Sequence, residues 1–296
     1  RINLIQAELE QCDLVVEAVR SAMLGTGEPT YTEFQAFTAS YLKERRQLQA
    51  VGWLPRVPES DRTDFEKKIR RDVLGNFQIK DFASRGWLLP AAKRREYYPI
   101  AYVEPLEGNE AKLGFNMASE PTRWAAMERA RDTGQAMVTG RVHLIQESDP
   151  PGFLIYVPLY RKGAPLATVD DRRAALTGYV IGIYQTSAVM REVLKRTEPQ
   201  GLPFEIVDQD SPTDSQLVFE WSPRLKSNIG WMAPLFPPSP KFVRCIPFGG
   251  RHWVVAISAN AAYVENHYQV GYWLILPFGC GLTLLLALYL WSMASQ

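Results

Sequence analysis

The sequence predicts an α+β protein, with two antiparallel-sheet units set between two long terminal helices. Three observations carry this: a heptad-spaced apolar seam at the start, short alternating runs mixed with helical segments through the middle, and a charge-free apolar stretch at the end. The seam is Ile2, Ile5, Leu9, Cys12, Val16, Val19 and Met23, recurring at spacings of three and four. Gly25-Thr-Gly-Glu-Pro29 ends that helix. The stripe suits either a helix packed on its own domain or a stalk that pairs with a second copy, and one helix can do both.

Thr32–Gln49, with Phe34, Phe37, Tyr41, Leu42 and Leu48, reads as a second helix. Asp61–Leu74 reads as a third, N-capped by Ser60 or Asp61. Gly75–Phe82 and Tyr97–Val103 alternate like strands. Pro121–Thr133 is a helix with Pro near its start and Gly134 just past its end. Ala136–Gln146 and Phe153–Tyr160 read as strands joined by the Ser148–Gly152 turn, Gly178–Gln185 as a further strand, and Ser187–Lys195 as a short helix. Past Glu198 come strands near Phe204–Val207 and Gln216–Glu220, a proline-rich 235–240 stretch unsuited to a central strand, and a hairpin of Phe242–Phe248 and Arg251–Ser258 about Gly249-Gly250.

No Asp, Glu, Lys or Arg follows Glu265, and Tyr272–Met293 is almost wholly apolar. At 1.5 Å per residue that stretch spans about 33 Å, enough for a hydrocarbon core of about 30 Å. Tyr272 and Trp273 open it and Tyr289 and Trp291 close it, as interfacial aromatics do. Arg1–Leu24 is charged throughout and lacks a signal peptide's apolar region. The chain starts at Arg1 within a helical pattern, so it reads as a piece of a longer protein. The resulting organisation is a 1–30 helix, a first sheet-based unit at 31–197, a second at 198–266 and a 270–293 transmembrane helix.

Composition excludes several function classes. Lys+Arg 33 against Asp+Glu 32 leaves a net charge of +1, with no basic excess for nucleic acid. Cys12, Cys245 and Cys280 are scattered, and with only 3 histidines no metal site is visible. Ser40-Tyr-Leu-Lys43 matches Ser-x-x-Lys, but without the partner motifs of a serine acyl-enzyme it reads as a helix surface. Asp170-Asp171-Arg172-Arg173 reads as a charged loop, and His143 as a half-buried strand residue. The chain shows no catalytic constellation and calls for no cofactor.

A series of short motifs runs in order between Phe34 and Tyr160. It begins with Gly52-Trp53-Leu-Pro55-Arg56-Val57, Arg62 with Phe65-Glu66, and Tyr98-Pro99-Ile100-x-Tyr102 with Glu104-Pro105 and Asn109. It continues with Leu113-Gly114-Phe115-Asn116, then Arg123, Ala126, Ala130-Arg131 and Gly134, then Val142-x-Leu144-x-Gln146-Glu147. It closes with Gly152-Phe153-Leu154-x-Tyr156-x-Pro158-Leu159-Tyr160. This order resembles the CHASE domain, the extracytoplasmic sensor module of bacterial and plant receptors. The resemblance implies a long N-terminal helix, membrane-distal and membrane-proximal PAS-like units, and flanking transmembrane helices. It also implies a homodimer, for which Ile5, Leu9, Cys12, Val16, Val19 and Met23 would form the seam.

In the plant members, which look like cytokinin receptors, an Asp after the Leu-Gly motif reads the adenine ring. Here that position is Asn116, whose amide donates as well as accepts, so the resemblance implies a ligand with a different hydrogen-bonding pattern. Asn116 equally suits a turn or the cap of the helix near Pro121. Strand alternation adds Tyr102, Val138, Thr139, Leu144 and Tyr156 as lining of a mainly apolar site. The implied function is sensing of a small molecule in the periplasm, with the soluble part anchored in the inner membrane of a bacterium. The signal would pass to a cytoplasmic histidine kinase, diguanylate cyclase or phosphodiesterase, or adenylate cyclase. The competing readings are a module regulated by a partner protein and a membrane-anchored enzyme.

Overall fold

The computed structural model describes residues 1–24, 28–45, 47–73, 75–83, 87–142, 151–196, 202–213, 216–222, 241–259 and 271–294. Helices α1 (Ile2–Met23) and α2 (Tyr31–Glu44) lead into strand β1 (Leu48–Pro55). Then come β2 (Val57–Pro58), α3 (Arg62–Val73), β3 (Lys80–Phe82), β4 (Leu88–Pro90), β5 (Glu96–Tyr97) and β6 (Tyr102–Glu104). Helix α4 (Pro121–Thr133) precedes β7 (Met137–Val138), β8 (Gly152–Tyr160), α5 (Val169–Ala175), β9 (Leu176–Gln185) and α6 (Thr186–Lys195). The chain ends with β10 (Phe204–Asp208), β11 (Leu217–Trp221), β12 (Lys241–Phe248), β13 (Arg251–Ser258) and α7 (Gly271–Ala294).

The α+β class stands. Five strands pair in the order β6-β1-β9-β8-β7, a PAS-like 2-1-5-4-3 sheet, and every pairing in it is antiparallel. A second sheet runs β11-β10-β13-β12. By compactness the chain falls into two units. The first is Arg1–Thr197 with Ile206–Phe219 and Arg244–Val255, and the second is Glu198–Glu205 with Glu220–Val243 and Ala256–Gln296.

Both faces of the five-stranded sheet are buried, so its central strands lack alternation. On one face α1 packs across β8 and β9, and α2 across β1 and β6. Val16 sits over Gly182 so closely that a Cβ there would lie 2.5 Å from Val16 Cγ2. Tyr184 donates from its hydroxyl to Cys12 O at 2.8 Å, fixing the helix against the same strand. All six seam residues, Ile5, Leu9, Cys12, Val16, Val19 and Met23, are buried within the protomer.

Several segments depart from the sequence reading. The second helix stops at Glu44, and Leu48–Pro55 is a central strand. A strand buried on both faces is a continuous apolar run, which periodicity cannot separate from a helix. The Asp170–Arg173 stretch is helical, because Thr168 and Asp171 form a capping box. The predicted Tyr97–Val103 strand is divided into β5 and β6, whereas Pro121–Thr133 holds as a helix closed by Gly134 at φ 76°.

Candidate functional site

The sheet face away from α1 and α2 is covered by α4 and by the chain from Tyr98 to Met117. Glu120 caps α4, accepting from Thr122 N at 3.0 Å and Arg123 N at 2.9 Å. Positions 123, 126, 127 and 130 then fall on one helical stripe and are buried over the sheet. Beneath them stand Leu154, Tyr156, Tyr179, Ile181 and Ile183.

Tyr98 and Tyr179 on this face donate their hydroxyls to Glu96 Oε1 at 2.7 Å and Met127 O at 3.0 Å, and Tyr156 differs from them. Its side chain is fully buried, and its hydroxyl has no hydrogen-bond partner among the described residues. Burial drives the phenol well above its ordinary pKa, and the nearby Arg123 cation opposes that shift. Arg123 is itself buried; its guanidinium lies 5.3 Å from the Phe115 ring centre and donates to Glu120 Oε2 at 3.1 Å. An unmet buried hydroxyl costs about 1–3 kcal/mol, so the face combines apolar lining with one unspent hydrogen bond.

Asn116 is buried at the rim of the same face. Its Oδ1 accepts from Tyr98 N at 2.9 Å and its Nδ2 donates to Asp81 Oδ1 at 2.8 Å. Asp81 Oδ2 takes Arg94 Nε at 3.1 Å and Arg94 Nη2 at 3.0 Å. The cap of α4 is therefore Glu120, and Asn116 instead joins the β3–β4 hairpin to the Tyr98 segment. Phe82 and Leu88 of that hairpin pack on the core below.

The remaining sequence candidates are divided between the two faces. Tyr102 lies under α2, its ring centre 6.0 Å from Phe34 and 5.0 Å from Trp53, and its hydroxyl donates to Asp72 Oδ2 at 2.9 Å. Val138 pairs with Ile155, on the opposite face from Tyr156. Thr139 Oγ1 accepts from Leu154 N at 3.0 Å, a bond that extends the β7–β8 pairing. Leu144 and His143 lie outside the described residues. The structure thus places Tyr156 and Asn116 on one side and Tyr102 and Val138 on the other. Sequence reasoning missed Asp81, whose signal was its parity: it follows Phe77 and Ile79 at the next inward position, and all three are buried.

The CHASE domain family model matches residues 27–219. The chain belongs to the CHASE family. As a CHASE domain it is a sensor module of signal-transducing receptors. It is 25% identical over 257 residues to Hybrid signal transduction histidine kinase A of Dictyostelium discoideum, covering 80% of this chain and 12% of that protein. It is also 25% identical over 247 residues to Probable histidine kinase 4 of Oryza sativa, covering 78% of this chain and 21% of that protein. The CHASE chain therefore spans a small part of the curated relatives it matches. Among solved structures, the periplasmic sensory domain of the Campylobacter jejuni chemoreceptor Tlp1 aligns at TM-score 0.49 and 8% identity, covering 89% of this chain and 93% of that one.

The β12–β13 hairpin lies beyond the CHASE match, and its turn touches the β7 edge. Val138 N donates to Gly249 O at 2.9 Å, and Arg129 of α4 donates to Gly250 O at 3.1 Å and to Val138 O at 3.2 Å. Gly249 and Gly250 have φ of 50° and 72°, and a Cβ on Gly249 would fall 2.2 Å from Val138 Cγ2. Glycine is thus required both by the turn and by the close approach. Arg251 Nε donates to Asp208 Oδ2 at 2.7 Å and its Nη2 to Ser211 Oγ at 2.8 Å, which stiffens the base of the same turn.

Proposed function

We propose that this CHASE domain senses a small molecule bound between α4 and the β8–β9 face, with Tyr156 as the polar contact. The observation that carries this is the wholly buried Tyr156 hydroxyl with no partner among the described residues, set in an apolar core beneath Arg123. A ligand acceptor or donor at that point would recover the missing hydrogen bond. Asn116 then acts at the rim, by holding the hairpin over the site. Met137 pairs with Tyr156 across β7 and β8, and Arg129 ties the next residue, Val138, to the Gly250 turn. Ligand binding biases the protein only by its differential affinity for two arrangements of these parts.

In this reading the soluble part, its distal unit at 31–197 and its proximal unit at 198–266, lies in the periplasm of a bacterium. Helix α7 anchors it in the inner membrane: Pro277–Ala294 is long and apolar enough to cross, with mean hydropathy 1.5. A homodimer passes the signal to a cytoplasmic histidine kinase or diguanylate cyclase/phosphodiesterase. With the six seam residues spent on the protomer core, the surface of α1 left for a second copy is the one bearing Leu14, which is 59% exposed.

The test is a thermal-shift screen of the full chain in nanodiscs against purine derivatives, organic acids and amino acids. A ligand at about 100 times its Kd should stabilise the wild type by about 2.7 kcal/mol, or about 5–10 °C. The same ligand should lose most of that shift on Tyr156→Phe. A flat screen, or a shift indifferent to Tyr156, overturns the site. A second reading, regulation by a partner protein, is favoured by Trp87 and Leu89 on the β4 arm, which are 73% and 58% exposed. That reading expects a pull-down partner lost on Trp87→Ala.

A further inference from the structure

The helix that covers the Tyr156 face is itself fastened from outside. Helix α4 ends at Thr133 and β7 begins at Met137, so a short link lays the strand beside the last turns of the helix. Arg129, half-buried one turn before that end, reaches two carbonyls: Nη1 donates to Gly250 O at 3.1 Å and Nη2 to Val138 O at 3.2 Å. The turn answers from its own side. Val138 N donates to Gly249 O at 2.9 Å, and a Cβ on Gly250 would fall 2.4 Å from Met137 Sδ. Met137 pairs with Tyr156 across the strands and belongs to the same core cluster. Burial and the neighbouring Arg251 cation both lower the Arg129 pKa, while Asp210 and Asp208 oppose them. Asp208 is fully buried, and its Oδ2 takes Arg251 Nε at 2.7 Å and Ser211 Oγ at 2.8 Å. Ser211 Oγ and Arg251 Nη2 lie against Gly140, where a Cβ would fall 2.9 Å and 3.3 Å from them. Two guanidiniums thus meet at one turn, and the aspartates beside them offset their repulsion.

We propose that Arg129 is a latch, which locks α4 over the Tyr156 face to the β12–β13 turn, so that the helix lifts only as the turn lets go. A molecule placed beneath α4 must share the space of Arg123, Ala126, Met127 and Ala130, all buried, and so must displace the helix. That displacement pulls on the carbonyls of Val138 and Gly250, and through Gly250 on β13. The coupling runs both ways: a shift of the turn changes how readily α4 lifts, by the same free energy. The inference rests on the reading of α4 as the cover of the site. The latch itself is closed without ligand and is tested without one.

The experiment is amide hydrogen exchange of the full chain in phosphatidylcholine nanodiscs, with no ligand added. Arg129→Met should speed exchange by at least about tenfold across α4 and the 249–252 turn, and leave β1 and β9 within about twofold of wild type. Gly250→Ala, which forces the turn off Met137, should speed α4 to a similar degree although it alters no residue of the helix. Asp208→Asn should also free α4, by leaving Arg129 and Arg251 opposed, but should add nothing once Arg129→Met is present. The latch is overturned by unchanged α4 exchange on Arg129→Met or Gly250→Ala, by an increase spread equally over β1 and β9, or by multiplied effects in the double variant. A flat ligand screen beside the expected exchange pattern overturns the Tyr156 site and leaves the latch standing.

Discussion

Asn116 donates its amide N–H to Asp81 Oδ1 at 2.8 Å, joining two buried residues 35 positions apart. The bond works only because the group at 116 is a donor. A carboxylate there would face another carboxylate, whose second oxygen already takes Arg94. This gives a structural reason for Asn at position 116.

Asn116→Asp should therefore lower stability by about 2–4 kcal/mol at neutral pH, through a lost donor and a like-charge contact. The paired carboxyls would hold a proton more tightly folded than unfolded. The deficit should then be small near pH 4 and grow as pH rises. Thermal unfolding of wild type and variant from pH 4 to 8 checks this; a pH-independent difference would refute it.

The α1 stripe calls for a paired measurement. Val16 is fully buried over Gly182, so Val16→Asp should cost more than about 3 kcal/mol within a single protomer. Leu14→Asp should leave the unfolding temperature within about 2 °C, because the side chain is exposed. If copies pair through the outer side of α1, sedimentation should show weaker association for Leu14→Asp at unchanged stability.

Tyr156→Phe removes a hydroxyl that has no hydrogen-bond partner among the described residues. It should leave unliganded stability equal or raised by up to about 1–2 kcal/mol, the reverse of most core substitutions. Chemical denaturation without ligand reads this directly, and a clear loss of stability would mean the hydroxyl is already satisfied.

Asp132 sets part of the acid limit. Arg173 donates to it at 2.7 Å and 2.9 Å, and with Arg131 holds the carboxyl far below its ordinary pKa, against the effect of burial. A depressed folded pKa stabilises above the unfolded value and is lost as the group protonates, so this contribution should fade below about pH 4. Arg173→Met should lower stability above about pH 5 and leave it nearly unchanged well below about pH 4, flattening the acid limb of the stability profile, and high salt should shrink the difference.

Local chemistry made several features legible in advance. The α4 boundaries followed from Pro121 and Gly134, the β12–β13 hairpin from Gly249-Gly250, and the span-length α7 from its charge-free composition. Each depends on neighbours within a few residues, where backbone propensity and side-chain period act directly. The CHASE motif order was legible for the same reason, being carried by short strings such as Leu113-Gly114-Phe115-Asn116.

Tertiary structure decided what those segments face. A period of three and four shows that α1 has an apolar side; only its seating on β8 and β9 shows that this side is used within the protomer. Alternation divides β8 into two faces, but with both buried nothing local separates the α1 side from the α4 side, so Tyr102 and Val138 could not be told from Tyr156. Asn116 meets Tyr98 from 18 positions away and Asp81 from 35, a long-range juxtaposition that no short window of sequence encodes.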